Sequence, residues 1–452
     1  MRIPDVNELI GIGRKVIEKA RDLGADEVEV YLSASDIFSI RVITNYVVTK
    51  SGLDAGAGIR VVVGKKVGFA SISSIEYDKI IDAVKEAIKI AKTRPEDPDF
   101  KHLPDPKRTA GKAGIYDEAL EETPISTLIK MIEKSVKEGF KLGDFIKKID
   151  FSFNRTIGTF AVVNSRGIEV GDKYTRVSSW ASVKAEKDGD IVTGSYYYAG
   201  RKLESEEIEN LGTKAGKRAI RMFGGKRLEK AIKGQMAVEN LVVSDFLWPI
   251  TFNVAANNVQ EGRSRFAGKS NEEVAAKKVT IYDDGTLPEG IRTAIIDDEG
   301  IPMSKKPLIE KGVLKAYVYD SYTALKEGKE STGNAFRRNY ETAPVPFITN
   351  LVIKETSRAN INDLILKIDK GVYISGFTMG SHLTDPIKGT FSITSLNAFY
   401  VENGEIKCPL KSVSASGNFF ELLRNIIEVG SDYKITYYGK IPSILVDGVS
   451  FI

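Results

Sequence analysis

The 452 residues are 42% hydrophobic and 28% charged, as in ordinary globular proteins, and a chain this long is expected to divide into two or three domains. A formal net charge of +4 with no basic run argues against nucleic acid as a partner, and the single cysteine, Cys408, excludes an intrachain disulfide and a four-cysteine metal site. No apolar run approaches about 18 residues and Met1-Arg2-Ile3-Pro4-Asp5 opens no signal-peptide core, so no membrane span and a reducing, cytoplasmic setting are expected.

In chain order, Val6, Leu9, Ile10, Val16, Ile17 and Ala20 form a helical stripe with Asp5 as its N-cap. Gly24 ends it. Val28, Val30 and Leu32 then alternate with polar neighbours as a strand, and a second strand pattern covers Ile40, Val42 and Thr44. Ile59, Val61 and Val63 predict a third strand, which turns at Gly64-Lys65-Lys66 and returns through Val67 and Phe69. A second amphipathic helix runs from Ile80 to Ala91, followed by an exposed, proline-rich connection over 94–107. Pro124 is placed at the first turn of a third helix, whose apolar face is Ile125, Leu128, Ile129, Ile132 and Val136.

Strands are expected between Ile149 and Tyr198, with turns at Asn164-Ser165-Arg166-Gly167 and Asp188-Gly189, then helical patterns from Ser205 to Met222. Gly224-Gly225 and Gly234 mark the best boundary, which divides the chain into an N-terminal α/β domain, 1–224, and a strand-rich C-terminal domain, 225–452. In the second domain Val238–Val243 reads as a strand, and Ser244 or Asp245 as the cap of a helix reaching Val259. A short strand at Val279–Tyr282, a hairpin around Lys311-Gly312, strands at Phe347–Ile353 and Val372–Phe377, a hairpin at Asn403-Gly404 and a helix over Phe419–Ile427 complete the pattern. Strands and helices do not alternate regularly, so the fold class is α+β.

Few motifs carry chemistry. Gly56-Ala57-Gly58 lacks the third glycine and the helix of a dinucleotide site, and reads as a tight backbone bend; Gly224-Gly225-Lys226 lacks the spacing of a P-loop. Of the two histidines, His102 lies in the proline-rich connection, and His382 lies in the loop Met379-Gly380-Ser381-His382-Leu383-Thr384-Asp385-Pro386, a candidate functional loop. Asp283-Asp284-Gly285 and Asp297-Asp298-Glu299-Gly300 are either turns or carboxylates for a hard cation.

Several ordered segments resemble the TldD/PmbA family: Phe266-Ala267-Gly268-Lys269, then Val279 to Thr286, Asp297 to Gly300, Leu308 to Gly312, Ser331-Thr332-Gly333-Asn334 and Thr349-Asn350. Gly389 to Ser392, Val401 to Glu405, Gly417-Asn418 and Gly430-Ser431-Asp432 continue the series, and Gly56 to Val61 and Val67 to Ala70 extend it into the first half. No single segment is distinctive; their order and spacing are. The resemblance implies a two-domain α+β subunit that pairs with a second to enclose a chamber. It also implies that active TldD-type members carry an HExxxH motif and a late cysteine as a metalloprotease site acting on unfolded peptides. PmbA-type members, also called TldE, lack the motif and act as the partner subunit.

Aligned on Glu261-Gly262, Asn253 takes the first histidine position, Val254 the glutamate position and Asn258 the second histidine position. The tail from Glu428 to Ile452 has no cysteine. Asparagine is a poor zinc ligand and valine cannot serve as a general base, so neither a metal, a cofactor nor a catalytic residue is expected in this degenerate segment. Gly380, His382 and Asp385-Pro386 resemble a glycine, histidine, Asn-Pro pattern of the PmbA branch, with Asp385 for asparagine and Thr390 where aspartate is frequent. The expectation is a non-catalytic PmbA-like subunit that pairs with a TldD-type metalloprotease chain and handles unfolded peptide. Two alternatives stay open: a self-paired, homodimeric peptide-binding module, and an enzyme built around His382 and a carboxylate.

Overall fold

The computed structural model describes residues 3–43, 46–108 and 116–452. Its first sheet is antiparallel with the order β3-β2-β1-β4-β5-β6, formed by β1 (Glu27–Ile43), β2 (Tyr46–Val63), β3 (Lys66–Ile72), β4 (Ile146–Asn164), β5 (Glu169–Lys187) and β6 (Asp190–Gly200). The two strand patterns expected between Val28 and Thr44 are one continuous strand of 17 residues; Thr44 itself lies outside the described residues. Both expected turns, after Asn164 and at Asp188-Gly189, join neighbouring strands; Asp188 and Gly189 hold positive φ, as a two-residue hairpin requires.

Alternation gives the sheet two unlike faces. Val28, Val30 and Leu32 of β1 point to the same side as Ile59 and Val61 of β2 and pack under the helices Val6–Asp22 and Tyr77–Thr93. Phe151 and Phe153 of β4, with Val177 and Val183 of β5, meet the helices Ile125–Phe140 and Leu211–Ile220. The first helix starts as expected: Asp5 accepts from the Glu8 amide and Glu8 from the Asp5 amide, a reciprocal cap. Pro124 sits one residue earlier than expected, as the N-cap. The proline-rich connection is less exposed than its composition suggests, because Phe100 and Leu103 are buried and the Leu103 amide donates to Glu27.

Among the described residues these four helices all lie on that one face, and the short helical turn Asn240–Val243 touches the opposite one, at Tyr197. Glu29, Tyr31, Ser33 and Ser35 of β1 lie on it, in register with Arg60, Gly58, Gly56 and Asp54 of β2. Part of this face is covered by the C-terminal half. Gly56 and Gly58 are therefore not a bend: they lie within β2, and their missing side chains admit Tyr340, whose ring stands 2.4 Å from where a Cβ of residue 56 would be and whose carbonyl oxygen stands 2.3 Å from that of residue 58. Beside them a buried ionic cluster joins the halves. Arg60 donates to Glu29 at 2.6 Å and to Glu299 at 2.7 Å, Arg337 pairs with Glu29, and the Ser321 amide donates to Glu299. Glu29 looked like an outward polar residue of an alternating strand; it has no exposed surface.

The second half carries a nine-stranded and a six-stranded sheet. Ile232–Val238 lies inside the larger one, antiparallel to Ile444–Phe451 and parallel to Lys370–Ile374. This corrects the strand expected at Val238–Val243: the strand ends at Val238, Gly234 lies inside it, and Asn240–Val243 is a helical turn. The Lys311-Gly312 and Asn403-Gly404 turns close hairpins, with positive φ at all four residues. Phe419–Arg424 is helical, but Ile426–Val429 is a strand on Ile444–Phe451.

Candidate functional site

The central strand Ile232–Val238 delivers the chain into the segment that the sequence singles out. After Asn240–Val243 comes a single tight turn, Ser244–Phe246, then the helix Trp248–Val254. The expected continuous helix to Val259 breaks at Ala255, which is extended at φ −73° and ψ 122°. The break has a cause across the chain: the Val318 amide donates to Val254 O at 2.8 Å and the Ala256 amide to Val318 O at 3.0 Å. A short helix, Ala256–Gln260, follows. Neither proposed cap serves as one; the Ser244 hydroxyl donates to Thr436 and the Asp245 carboxylate accepts from Thr378.

On an unbroken helix, residues five apart point about 140° away from each other. The break at Ala255 instead brings the backbone of both residues to a common neighbour: Ser264 donates its hydroxyl to Asn253 O at 2.7 Å and its amide to Asn258 O at 3.1 Å. Their side chains have separate partners and do not fit a metal. Asn253 is fully buried, its Nδ2 donating to Pro249 O at 2.7 Å and Pro386 O at 2.6 Å while its Oδ1 accepts from the Arg265 amide at 2.5 Å. Asn258 donates Nδ2 to Phe252 O at 2.9 Å and accepts from Arg263 at 2.9 Å. Val254 is packed in the C-terminal core. A zinc site needs imidazole, thiolate or carboxylate donors with free lone pairs; here one amide is committed to the backbone, the other to the backbone and Arg263, and the third position is apolar. Among the described residues no three His, Cys, Asp or Glu side chains are grouped to hold a metal. Cys408 lies on the outer strand Glu405–Leu410, opposite Tyr400.

The Asn253–Pro386 hydrogen bond joins the two segments that the sequence flagged, the degenerate motif and the His382 loop. His382 occupies a single helical turn, Ser381–Leu383, at the sheet edge and is exposed. Its carboxylate neighbour in sequence, Asp385, is engaged by the Ile387 and Lys388 amides at 2.9 Å each, and those bonds hold its pKa below the ordinary range. His102 contacts Leu103 O at 2.6 Å. The acidic pairs are turn and core residues: Asp283 accepts from Asn334, Lys306 and Thr349, and Asp297 from the Ile301 and Ala335 amides.

Sequence reasoning missed the open part of the sheet face opposite the four helices. Beyond the Gly56–Tyr340 contact it carries Asn154, Ser178, Trp180 and Tyr197, cross-strand neighbours that line a cavity of about 360 Å³ against Phe377 and Tyr437 of the C-terminal half. Asp245 also faces it; burial pushes its carboxyl up to about 6, against the bond from Thr378. The run Tyr196-Tyr197-Tyr198 was the available signal, since consecutive strand residues must place aromatic rings on both faces.

Fold and segment together define a two-domain α+β scaffold in which Asn253, Val254 and Asn258 are structural residues. Three models of one family match the sequence: PmbA/TldA metallopeptidase domain 1 over residues 28–91, the central domain over 117–223 and the C-terminal domain over 233–452. The chain therefore belongs to the PmbA/TldD family. It is 30% identical to the uncharacterized protein MJ0231 of Methanocaldococcus jannaschii, over 98% of this chain and 99% of that one. It is 26% identical to the metalloprotease MJ0996 of the same organism, over 92% and 95%. The TldE structure from Thermococcus kodakarensis superposes with a TM-score of 0.88 at 24% identity, over 97% and 99%, and so shares the fold. No described helix is long and apolar enough to cross a membrane.

Proposed function

We propose that this chain is the non-catalytic partner subunit of a TldD/TldE-type metalloprotease complex that degrades or matures peptides in the cytoplasm. The observation that carries the reading is the commitment of Asn253, Val254 and Asn258 to hydrogen bonds and core packing inside an otherwise complete family scaffold. A scaffold that decays loses its packing along with its chemistry; this one has only exchanged ligands for structural residues. In this reading His382 belongs to the pairing surface, not to a catalytic centre. Phe377, 62% exposed, and Leu383, 74% exposed, stand beside it, and such apolar side chains suit an interface that a second subunit covers. The sheet face opposite the four helices, with its aromatic and hydroxyl side chains, is where extended peptide would lie.

Co-expression with a TldD-type chain from the same source tests the reading. A stable one-to-one complex that cleaves unfolded peptide faster than the TldD-type chain alone is expected. Failure to co-purify, with cleavage unchanged, would sink it; a tight self-pair that excludes the TldD-type chain would favour the self-paired peptide-binding module instead.

A further inference from the structure

Further along the same sheet face a second cavity, of about 230 Å³, opens between β1, β4 and β5 and the C-terminal residues 292–349. Three guanidinium groups meet there. Arg201 forms its floor, 3% exposed, each of its nitrogens donating to a carbonyl, Thr175 O at 3.1 Å, Thr293 O at 3.0 Å and Gly290 O at 3.3 Å. Those bonds fix the loop that presents Arg292. Arg292 lies 4.7 Å from the Phe336 ring centre and 4.8 Å from that of Phe347, and its Nη1 is buried with no hydrogen-bond partner. Arg176 stands exposed at the mouth, over the Tyr174 ring.

Among the described residues no carboxylate forms an ion pair with any of the three. The nearest acids act at a distance, Asp298 and Asp283 on Arg292 and Asp172 on Arg201; of the two carboxylates that line the cavity, Asp298 receives the Arg337 amide and Asp54 the Tyr340 hydroxyl. Burial and then the Arg176 charge hold Arg292 down to about 10, and the same two causes hold Arg201 well below its ordinary value. Buried cations are normally paired, because an uncompensated charge away from water is costly. Elsewhere this chain obeys that rule, as at Arg60 and Arg337. The exception is confined to one cavity that opens to solvent.

We infer that this pocket binds a carboxylate supplied by a ligand, with Arg292 as the direct partner and Arg176 guiding entry. The planar guanidinium fork matches a carboxylate, and the rings of Tyr31 and Phe160 give the adjoining carbon skeleton an apolar wall. Resting on the peptide-handling role proposed above, the ligand is the C-terminal residue of an extended peptide lying along the sheet face; a free small acid shares the same chemistry.

The test uses the full chain and pairs of N-terminally labelled hexapeptides that differ only in a free or amidated C-terminus, with succinate and inorganic phosphate as competitors. By fluorescence anisotropy the free acid should bind about tenfold more tightly than the amide, the loss expected for one charge-assisted hydrogen-bonded pair. That preference should fall below about twofold in Arg292→Gln and in Arg176→Gln; Arg176 is exposed, so its variant keeps the fold, as an unchanged melting temperature would show. Equal binding of acid and amide to the wild-type chain, or a preference that survives both substitutions, overturns the pocket. If succinate or phosphate displaces the peptide acid at equal or lower concentration in an Arg292-dependent way, the pocket stands and its ligand is a small anion. Co-purification of Arg292→Gln with the TldD-type chain separates the two proposals: pairing retained with acid preference lost upholds both, and pairing absent already in the wild type removes only the subunit role.

Discussion

Replacing Arg60 by methionine removes the centre of the buried ionic cluster while keeping most of its volume. Arg60 makes two charge-assisted bonds, to Glu29 and Glu299, both fully buried carboxylates. Each such bond contributes about 1.5–3 kcal/mol, and breaking a buried pair by removing one partner costs about 3–5 kcal/mol in total, because a charge is left uncompensated. Glu29 retains Arg337, so the loss falls mainly on Glu299, which keeps only the Ser321 amide. In the native protein burial works to raise the Glu299 pKa, and Arg60 and Ser321 together outweigh it, so the net shift is downward; stability from this group is present above the unfolded value of about 4.3 and is lost as pH falls through the folded one. In the variant burial acts without Arg60, the folded pKa rises, and stability is instead lost as pH climbs above about 4.3. Both effects widen the gap between the two proteins from pH 4 to pH 7. The assay is urea denaturation at pH 4.5 and 7.5. The expected result is a loss of about 3–5 kcal/mol at the higher pH, narrowing by more than about 1 kcal/mol at the lower. A deficit that does not change with pH, or one below about 1 kcal/mol throughout, would refute the assignment of Glu299 as the exposed liability.

Asp245→Asn should stabilise the protein at pH 7 by on the order of 2 kcal/mol: its carboxyl is raised to about 6 by burial, so stability is full below about 3.9 and is lost as pH rises through 6. Thermal melts at pH 4 and pH 7.5 check it, since the gain must vanish at the acid end. Gly58→Ala should cost about 2 kcal/mol or more and preferentially loosen the contact between the halves, because its Cβ would stand 2.3 Å from Tyr340 O; hydrogen exchange at residues 337–341 would report this. Asn253→Ala should cost about 1–3 kcal/mol by removing three hydrogen bonds to backbone groups, one buried and two part-buried, read as a shift in denaturation midpoint. The combined substitution Asn253→His, Val254→Glu and Asn258→His should not yield a peptidase, because the Pro386 carbonyl and the Arg265 amide already occupy the space at residue 253; zinc titration with a peptide-cleavage assay measures it.

Local chemistry was well marked in the sequence. The Asp5 cap, the Asp188-Gly189, Lys311-Gly312 and Asn403-Gly404 turns and the helical stripes depend on residues within a few positions of one another, and each is found where its pattern places it. Readings failed where the deciding partner is remote. Gly56 and Gly58 depend on Tyr340, the helix break at Ala255 on Val318, and the burial of Glu29 on Glu299's partner Arg60 and on Arg337. The partners of Asn253 were not legible either, since Pro386 lies far along the chain. The arginine pocket left no trace at all: Arg176, Arg201 and Arg292 have no common spacing, and only the fold assembles them.

The contact at Gly56 and Gly58 has a consequence for how such a protein can diversify. The separation between the two halves is set by a ring and a carbonyl resting directly on strand backbone, a contact with no flexible side chain to lengthen or shorten. The residues that would meet a ligand, such as Ser33, Asn154, Trp180 and Arg176, are different ones on the same face. Spacing and surface chemistry are therefore encoded at separate positions. Substitutions at the second set can change what the face prefers without altering the spacing of the halves.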